Sequence, residues 1–323
     1  MTLKADGQVN KLTVVELNVE NLFDTQHDSL KNDYEFLPNS ERHWSRTRYW
    51  RKLNRLGQTL ISCGEDSAGW TLPDLVGLCE VENDTVMRDL TKRSLLRKAR
   101  YEYVMTDSPD ERGIDVALLY SPFSFRLLTS YGIRINPIHE MKPTRDILYA
   151  AGELASGDTL HVMVVHAPSR SGGELATRPF RLHVARKVCQ SVDSIKSVSP
   201  DAKILVMGDF NAYSGEPSLE VLKLHGLTDV SQQAVGLHGA KGSYCYQGRW
   251  GSLDHLLLSD NMRDGVEACL VHDPVFLLVE DTKYGGVKPR RNFLGPRFLD
   301  GFSDHLPLLL RLFLVVGGNG KAS

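Results

Sequence analysis

Residues 203–213 read KILVMGDFNAY. The apolar run 204–207 has the composition of a buried strand; it reaches Gly208 and then delivers Asp209 and Asn211 two positions apart, with Phe210 pointing the other way. Side chains two apart on an extended backbone share a face, so a carboxylate and an amide emerge together where a core strand ends. That is where α/β proteins keep their chemistry. An Asx-type turn closing a strand accounts for the same residues, and the rest of the chain has to decide between the two.

The pattern recurs at other strand ends. Residues 12–17 form a β-type run that ends in Asn18 and Glu20, and 73–78 form another that ends in Glu80 and Glu82. Asn83 is placed to cap a helix over 84–99. The run 161–165 stops at His166, because Pro168 ends ladder pairing and leaves the histidine at the sheet rim. Asp254 and His255 interrupt 252–258, which reads as the second arm of a hairpin with 243–247, and Ser303, Asp304 and His305 precede a last strand over 306–316. Further strands are expected over 101–105, 114–120 and 266–272, with three more punctuated by Arg126, Arg134 and Arg145.

Helical spacing of Trp50, Leu53, Leu56 and Leu60 predicts a helix in 42–60, and Phe180, Val184, Val188, Val192 and Ile195 predict another over 178–197. A third starts at Glu216 and Pro217, with Gly226 as its stop. Many strands and few long helices predict two large sheets packed face to face with helices outside. No repeat or linker divides the chain, so 1–323 reads as one domain with its core over about 12–314.

With 41% hydrophobic and 24% charged residues the chain can bury a sizeable core. A net charge of −2 argues against a bulk electrostatic nucleic-acid binder and leaves room for a local basic groove. Two stretches could supply one: 42–55, where Arg42, Arg46, Arg48, Arg51, Lys52 and Arg55 interleave with Trp44, Tyr49 and Trp50, and the long loop 283–302. The solvated face of a helix is the plainer account of the first. Five scattered cysteines without CxxC spacing point to neither a zinc site nor a disulfide framework and fit a cytoplasmic compartment. No signal core stands in 1–9, 317–323 reads as a tail, and no apolar run approaches a membrane span. Nothing demands a protein partner, and a monomer is expected.

Collected together, the strand-end groups are Asn18, Glu80, His166, Asp209, Asn211, Asp254, Asp304 and His305. Carboxylates and amides without thiolates suit a hard cation, Mg²⁺ or Mn²⁺, which keeps waters and shares substrate phosphate oxygens. The chain has neither GxxxxGK[ST] nor GxSxG, so P-loop and serine-hydrolase chemistry are not indicated.

The ordered motifs LNVEN (17–21), LCEVEN (78–83), VVHAPSR (164–170), MGDFNAY (207–213), SLDHLLLS (252–259) and FSDHLPL (302–308) resemble the endonuclease/exonuclease/phosphatase superfamily. The chain is especially similar to bacterial members that read NxENLFD, GIDVALLY, TRDIL and GDFN in that order. The resemblance implies a four-layer α/β sandwich of two mostly antiparallel sheets, with Mg²⁺-dependent phosphoester hydrolysis in a cleft at one end. It further implies Glu80 as principal metal ligand with Asn18 beside it and Asp304 as a further metal-side carboxylate. Glu20 stands where many members have an aspartate. Asp209 would deprotonate the attacking water, Asn211 steady the phosphate, Asp254 fix the His305 imidazole against the scissile phosphate, and His166 support phosphate or leaving group. Arg145 resembles a phosphate-contacting arginine. His255 reads as a packing residue, and Ala167 and Pro168 stand where similar proteins have an aromatic.

The leading expectation is therefore a nuclease. A phosphatase or phosphodiesterase for a small soluble or lipid phosphoester uses the same groups, and a non-catalytic scaffold is disfavoured because every main position holds a competent residue. If 42–55 and 283–297 flank one groove, nucleic acid gains; if they enclose a narrow pocket, the small ester gains.

Overall fold

The computed structural model describes residues 9–66 and 69–315; the expectations for 1–8 and 316–323 lie outside the described residues. Two six-stranded sheets take up most of the strands. In chain order these are β1 (Val9–Leu22), β2 (Leu75–Val81), β3 (Glu102–Met105), β4 (Asp115–Tyr120), β5 (Phe125–Ile133) and β6 (Ile147–Leu154). The series continues with β7 (Thr159–His166), β8 (Lys203–Asp209), β9 (Leu227–Asp229), β10 (Asp254–Ser259), β11 (Val266–Val271) and β12 (Leu308–Val315). One sheet has the order β11-β12-β1-β2-β4-β3 and the other β9-β10-β8-β7-β6-β5. The helices are α1 (Arg46–Ser62), α2 (Asp84–Arg88), α3 (Glu174–Val198) and α4 (Pro217–Leu224).

Three apolar layers hold this together, as strands buried on both faces require. Val14, Leu75, Val116 and Leu118 meet Val162, Val164, Leu205, Met207 and Leu256 between the sheets. Outside the first sheet, Val15, Leu17, Val76 and Leu78 pack on Leu53, Leu56 and Leu60 of α1. Outside the second, Val165, Ile204 and Val206 pack on Val184, Val188 and Val192 of α3 and Leu219 and Leu222 of α4. At about 2 kcal/mol for each fully buried Leu or Val side chain, these stripes, rather than the arginine face of α1, fix where the helices lie.

The topology gathers the polar strand ends. Each sheet has one parallel pair, β1 with β2 and β7 with β8, joined by crossovers through α1 and α3, and its other pairs are antiparallel. Parallel neighbours end on the same side, so Asn18 lies opposite Cys79, next to Glu80, and Asp209 lies opposite His166. β10 and β12 run against them, so the same side meets their beginnings: Asp254 faces Asp209 across the pair, and His305 stands just before β12.

Four expectations are corrected. Residues 84–99 do not form one helix: α2, capped by Asn83 Oδ1 accepting from Val86 N at 3.0 Å, gives way to a wider turn and then to a tight turn at Leu95–Lys98. Ser94 is extended there, and its hydroxyl rather than a helical carbonyl meets Leu96 N. Two strands, β5 and β6, stand where three were expected, and the intervening residues supply a wall of the cleft. Residues 252–258 are not a hairpin arm. Tyr244–Tyr246 pairs instead with Arg249–Gly251 across Gln247 and Gly248, both at positive φ, which is the two-residue turn a tight hairpin favours. β10, buried on both faces, joins β8 and β9. Finally, 283–302 contains short hairpin arms, Val287–Pro289 against Leu278–Glu280 and Phe293–Leu294 against Arg297–Phe298.

Candidate active site

A cleft of about 430 Å³ opens where these strand ends meet, and Asn18, Glu80, Arg145, His166, Asp209, Asn211, Asp304 and His305 all line it. Asp254 does not; it is wholly buried behind His305.

Glu80 reaches the cleft through an irregularity in β2. Register shifts between Cys79 and Val81, and Glu80 itself has a φ of 68°. Leu78 and Val81 both pack in the outer layer, so Glu80 is the extra residue of a bulge, a device that re-aims one side chain. Its Oε2 accepts from Asn21 N at 2.8 Å, while Oε1 stands 3.9 Å from His166 Nε2. Asn18 gives its amide N–H to Asp209 Oδ2 at 3.0 Å and accepts from Glu20 N at 3.0 Å. Glu80, Asn18 and Asp304 offer oxygen donors without a thiolate, a set that fits a hard cation.

Asp209 is closely held by its surroundings. Gly208 before it has a φ of 143°, and a Cβ there would lie 1.9 Å from Val165 O, so only glycine lets β8 approach β7 this closely. Both Asp209 oxygens are held, Oδ2 by Asn18 and Oδ1 by Asn211 N at 2.8 Å. Burial, then the charge of Asp254, raise its pKa to about 7 against the opposing pull of His305. His305 Nδ1 meets Asp254 Oδ2 at 2.7 Å, and the Ser243 hydroxyl donates to the same oxygen. Burial disfavours the His305 imidazolium, but Asp254, Asp209 and Asp304 prevail and hold its pKa well above the usual range. Asp209, Asp254 and His305 each bring a donor atom within 4.8 Å of the others. Asp254 Oδ2 serves both His305 and Ser243, whereas its Oδ1 is buried without a hydrogen-bond partner among the described residues.

His166 is buried at the cleft floor, and burial together with Arg145 and Arg112 pushes its pKa well below 6.5. Its approaches to Glu80 and to Asp209, the latter at 3.7 Å, are therefore neither ion pairs nor hydrogen bonds. Arg145 holds the strand end that carries it: Nε donates to His166 O at 3.2 Å, Nη2 to Ala167 O at 2.7 Å, and Nη1 meets Asp110 at 3.1 Å. Asn211 Nδ2 donates to the same Ala167 carbonyl at 3.1 Å.

Glu20 turns away from the cleft. It accepts from Asn292 N at 2.6 Å and Phe293 N at 3.0 Å, and its pKa rises to about 7 through burial and then Asp304. Arg291 bridges it to Asp304, at 3.6 and 3.0 Å. Lys52, 1% exposed and donating to Phe302 O, lies close by with a pKa lowered by burial to about 8.

The two basic stretches do not border the cleft; they meet elsewhere, where Arg42, Gly295 and Pro296 line a separate pocket. Arg42 lies over Phe36 and Phe293, Arg48 over Phe298 and Arg55 over Phe302, while Arg51 and Arg55 pair with Asp300. They staple α1 to the 290–302 segment, and no member of either stretch lines the cleft. His255 packs as expected, bridging Asp229 and Ala212 O at 2.9 Å each. Sequence reasoning missed Ser243, Tyr244 and Glu16. Glu16 is wholly buried, and burial, then Asp254 and Asp209, raise its pKa well above the carboxylate range. Its position two residues before Asn18, on the same face of an apolar strand, was the available signal.

The model of the Endonuclease/Exonuclease/phosphatase family matches residues 13–313. A mannosyl-6-phosphatase of Bacteroides thetaiotaomicron has a similar structure, with a TM-score of 0.60, 15% identity, and 94% of this chain and 99% of that one covered. Truncated Caenorhabditis elegans TDP2 has a TM-score of 0.56 at 16% identity over 94% and 98% of the two chains. The human Nocturnin catalytic domain, solved with a bound sulfate, has 0.55 at 18% identity over 94% and 95%. At these identities the likeness is one of fold. No curated protein sequence matches the chain.

Proposed function

Since this chain belongs to the endonuclease/exonuclease/phosphatase family and is a phosphoester hydrolase, we propose that it is a divalent-metal-dependent phosphodiesterase acting on nucleic acid. The observation that carries the reading is convergence: Asp209, the His305–Asp254 pair and His166 border one cleft with the oxygen donors of Glu80, Asn18 and Asp304. Those three would hold Mg²⁺ or Mn²⁺. When bound, the cation supplies charge stabilisation on the phosphoryl oxygens.

The chain's own groups do the rest. Asp209 takes a proton from a water that attacks phosphorus in line. The P–O ester bond opposite breaks, and its electron pair leaves with the alcohol oxygen, which takes a proton from solvent, to which Asp209 returns the one it removed. His305, kept charged by Asp254, stabilises the phosphate, and Asn211 and His166 orient it.

A small phosphoester is the second reading. It is favoured by the cleft wall, where Glu111 and Glu140 stand beside Arg112 and Lys142 instead of an unbroken basic surface. A panel of single- and double-stranded DNA, RNA, a nitrophenyl phosphodiester and phosphomonoesters, with Mg²⁺, Mn²⁺ or EDTA, tests both. Metal-dependent polynucleotide cleavage, abolished in Asp209→Ala and His305→Ala, is expected. Cleavage of small esters alone would move the function to the second reading, and activity surviving either substitution would overturn the roles.

A further inference from the structure

The hairpin made by Tyr244–Tyr246 and Arg249–Gly251 stands beside the catalytic histidine and presents aromatic rings to solvent. Strand alternation explains how. Cys245 and Trp250 face each other across the pair, and Trp250 packs against the inter-sheet core. Their neighbours must point the other way, so Tyr244, Tyr246, Arg249 and Gly251 share the outer face.

On that face Tyr244 lines the cleft, bridges to His305 through its backbone and rests its ring on the imidazole, with centroids 4.8 Å apart. Tyr246, one strand repeat further from the cleft, is 60% exposed. Arg249 lies directly opposite Tyr246 and is exposed, and no ion-pair partner for it is found among the described residues. The same face is buttressed at its cleft end: a Cβ on Gly251 would lie 2.5 Å from the Tyr213 ring, so that ring packs against the glycine opposite Tyr244, and Arg170 covers it at 4.7 Å. Tyr213 follows Asn211 by two residues, which ties the hairpin to the strand end carrying Asp209.

A nucleobase is a group that gains from an exposed ring, because every base has a stacking face, and an exposed arginine opposite suits the phosphate that follows it. We propose that Tyr244 and Tyr246, with Arg249, form a base-stacking platform that makes single-stranded polynucleotide the substrate of this cleft. The inference rests on the phosphodiesterase reading and names its substrate class. Duplex DNA is disfavoured by the same geometry, since paired bases offer no free face.

The test compares a short oligothymidylate with a chain of equal length in which base-free tetrahydrofuran units replace the nucleosides. Cleavage is followed in Mg²⁺, and binding is measured separately by fluorescence anisotropy with Asp209→Ala. The base-bearing chain should be cleaved and bound about tenfold better. Tyr246→Ala should lower that ratio severalfold, and Tyr246→Phe, which keeps the ring, should restore it. Equal treatment of the two chains by wild type, or a Tyr246→Ala loss that falls on both alike, would overturn the platform. Base-selective binding without hydrolysis would sink the phosphodiesterase reading and leave the platform standing, whereas hydrolysis without base selectivity would do the reverse.

Discussion

Replacing Gly208 by alanine should damage stability and catalysis together. The new Cβ would meet Val165 O at 1.9 Å and the Val165 C and N atoms at 2.8 Å, all of them backbone, so no side chain can swing aside. Gly208 and Asp209 pair with Val165 and His166. The strands must therefore part by more than an ångström at the point that sets the spacing of Asp209 and His166. Two costs add: about 1–3 kcal/mol for a side chain at a φ of 143° and about 1–3 kcal/mol for overpacking. The total, about 2–6 kcal/mol, is a large share of an ordinary domain's about 5–15 kcal/mol. An ångström of misplacement at the reacting groups should also cost about 10²-fold in kcat/KM. Gly215→Ala separates the causes, since its φ is 90° but nothing lies within 4 Å of a Cβ; it should lose only the backbone part, about 1–3 kcal/mol, and keep its activity. Urea unfolding and kcat/KM on a nitrophenyl phosphodiester are the assays. If Gly208→Ala stayed within about 0.5 kcal/mol of wild type and kept its activity, the close approach of β7 and β8 would not be what positions Asp209.

Three further outcomes are expected. His255→Leu strands the buried Asp229 carboxylate and should cost about 3–5 kcal/mol near neutral pH by urea unfolding. Although burial opposes both charges, each partner favours the other's charged form, raising His255 above 6.5 and lowering Asp229 below 3.8. The pair's contribution is therefore complete between about 3.8 and 6.5, fading below as pH falls through the lowered Asp229 value and above as pH rises through the raised His255 value. His272, whose pKa burial lowers from 6.5 to about 4, is stable neutral; wild type should lose about 3 kcal/mol relative to His272→Gln as pH falls across that interval, and parallel curves would contradict this. Glu20→Gln leaves one acceptor where two are used by Asn292 N and Phe293 N, so those amides should exchange with solvent faster and stability should fall by about 1–3 kcal/mol. Unchanged exchange at both would remove Glu20 as the anchor of that segment.

How much of this was legible in the sequence follows from which relations are local. Apolar runs of strand length and helical stripes such as Leu53, Leu56 and Leu60 mark the layers, because burial of a strand or helix face is written into its own residues. Asn18, Glu80, His166 and Asp209 could be found because each terminates such a run, and the order of the short motifs supplied the family. Relations between distant segments were not legible. No spacing rule shows that β10 joins β8 rather than folding back on residues 243–247, and the pairing of Asp254 with His305, 51 positions away, was anticipated only through the family resemblance. The bulge that turns Glu80 inward depends on pairing with β4, and Arg48 and Arg55 of α1 lie against the 290–302 segment because Phe298, Phe302 and Asp300 meet them there. The sequence by itself determined the elements and the chemistry of their ends, since hydrophobic period and residue type act along the chain. Tertiary structure alone decided which charges are shared, shielded or exposed, since burial and distance through space govern those and neither has a local signature.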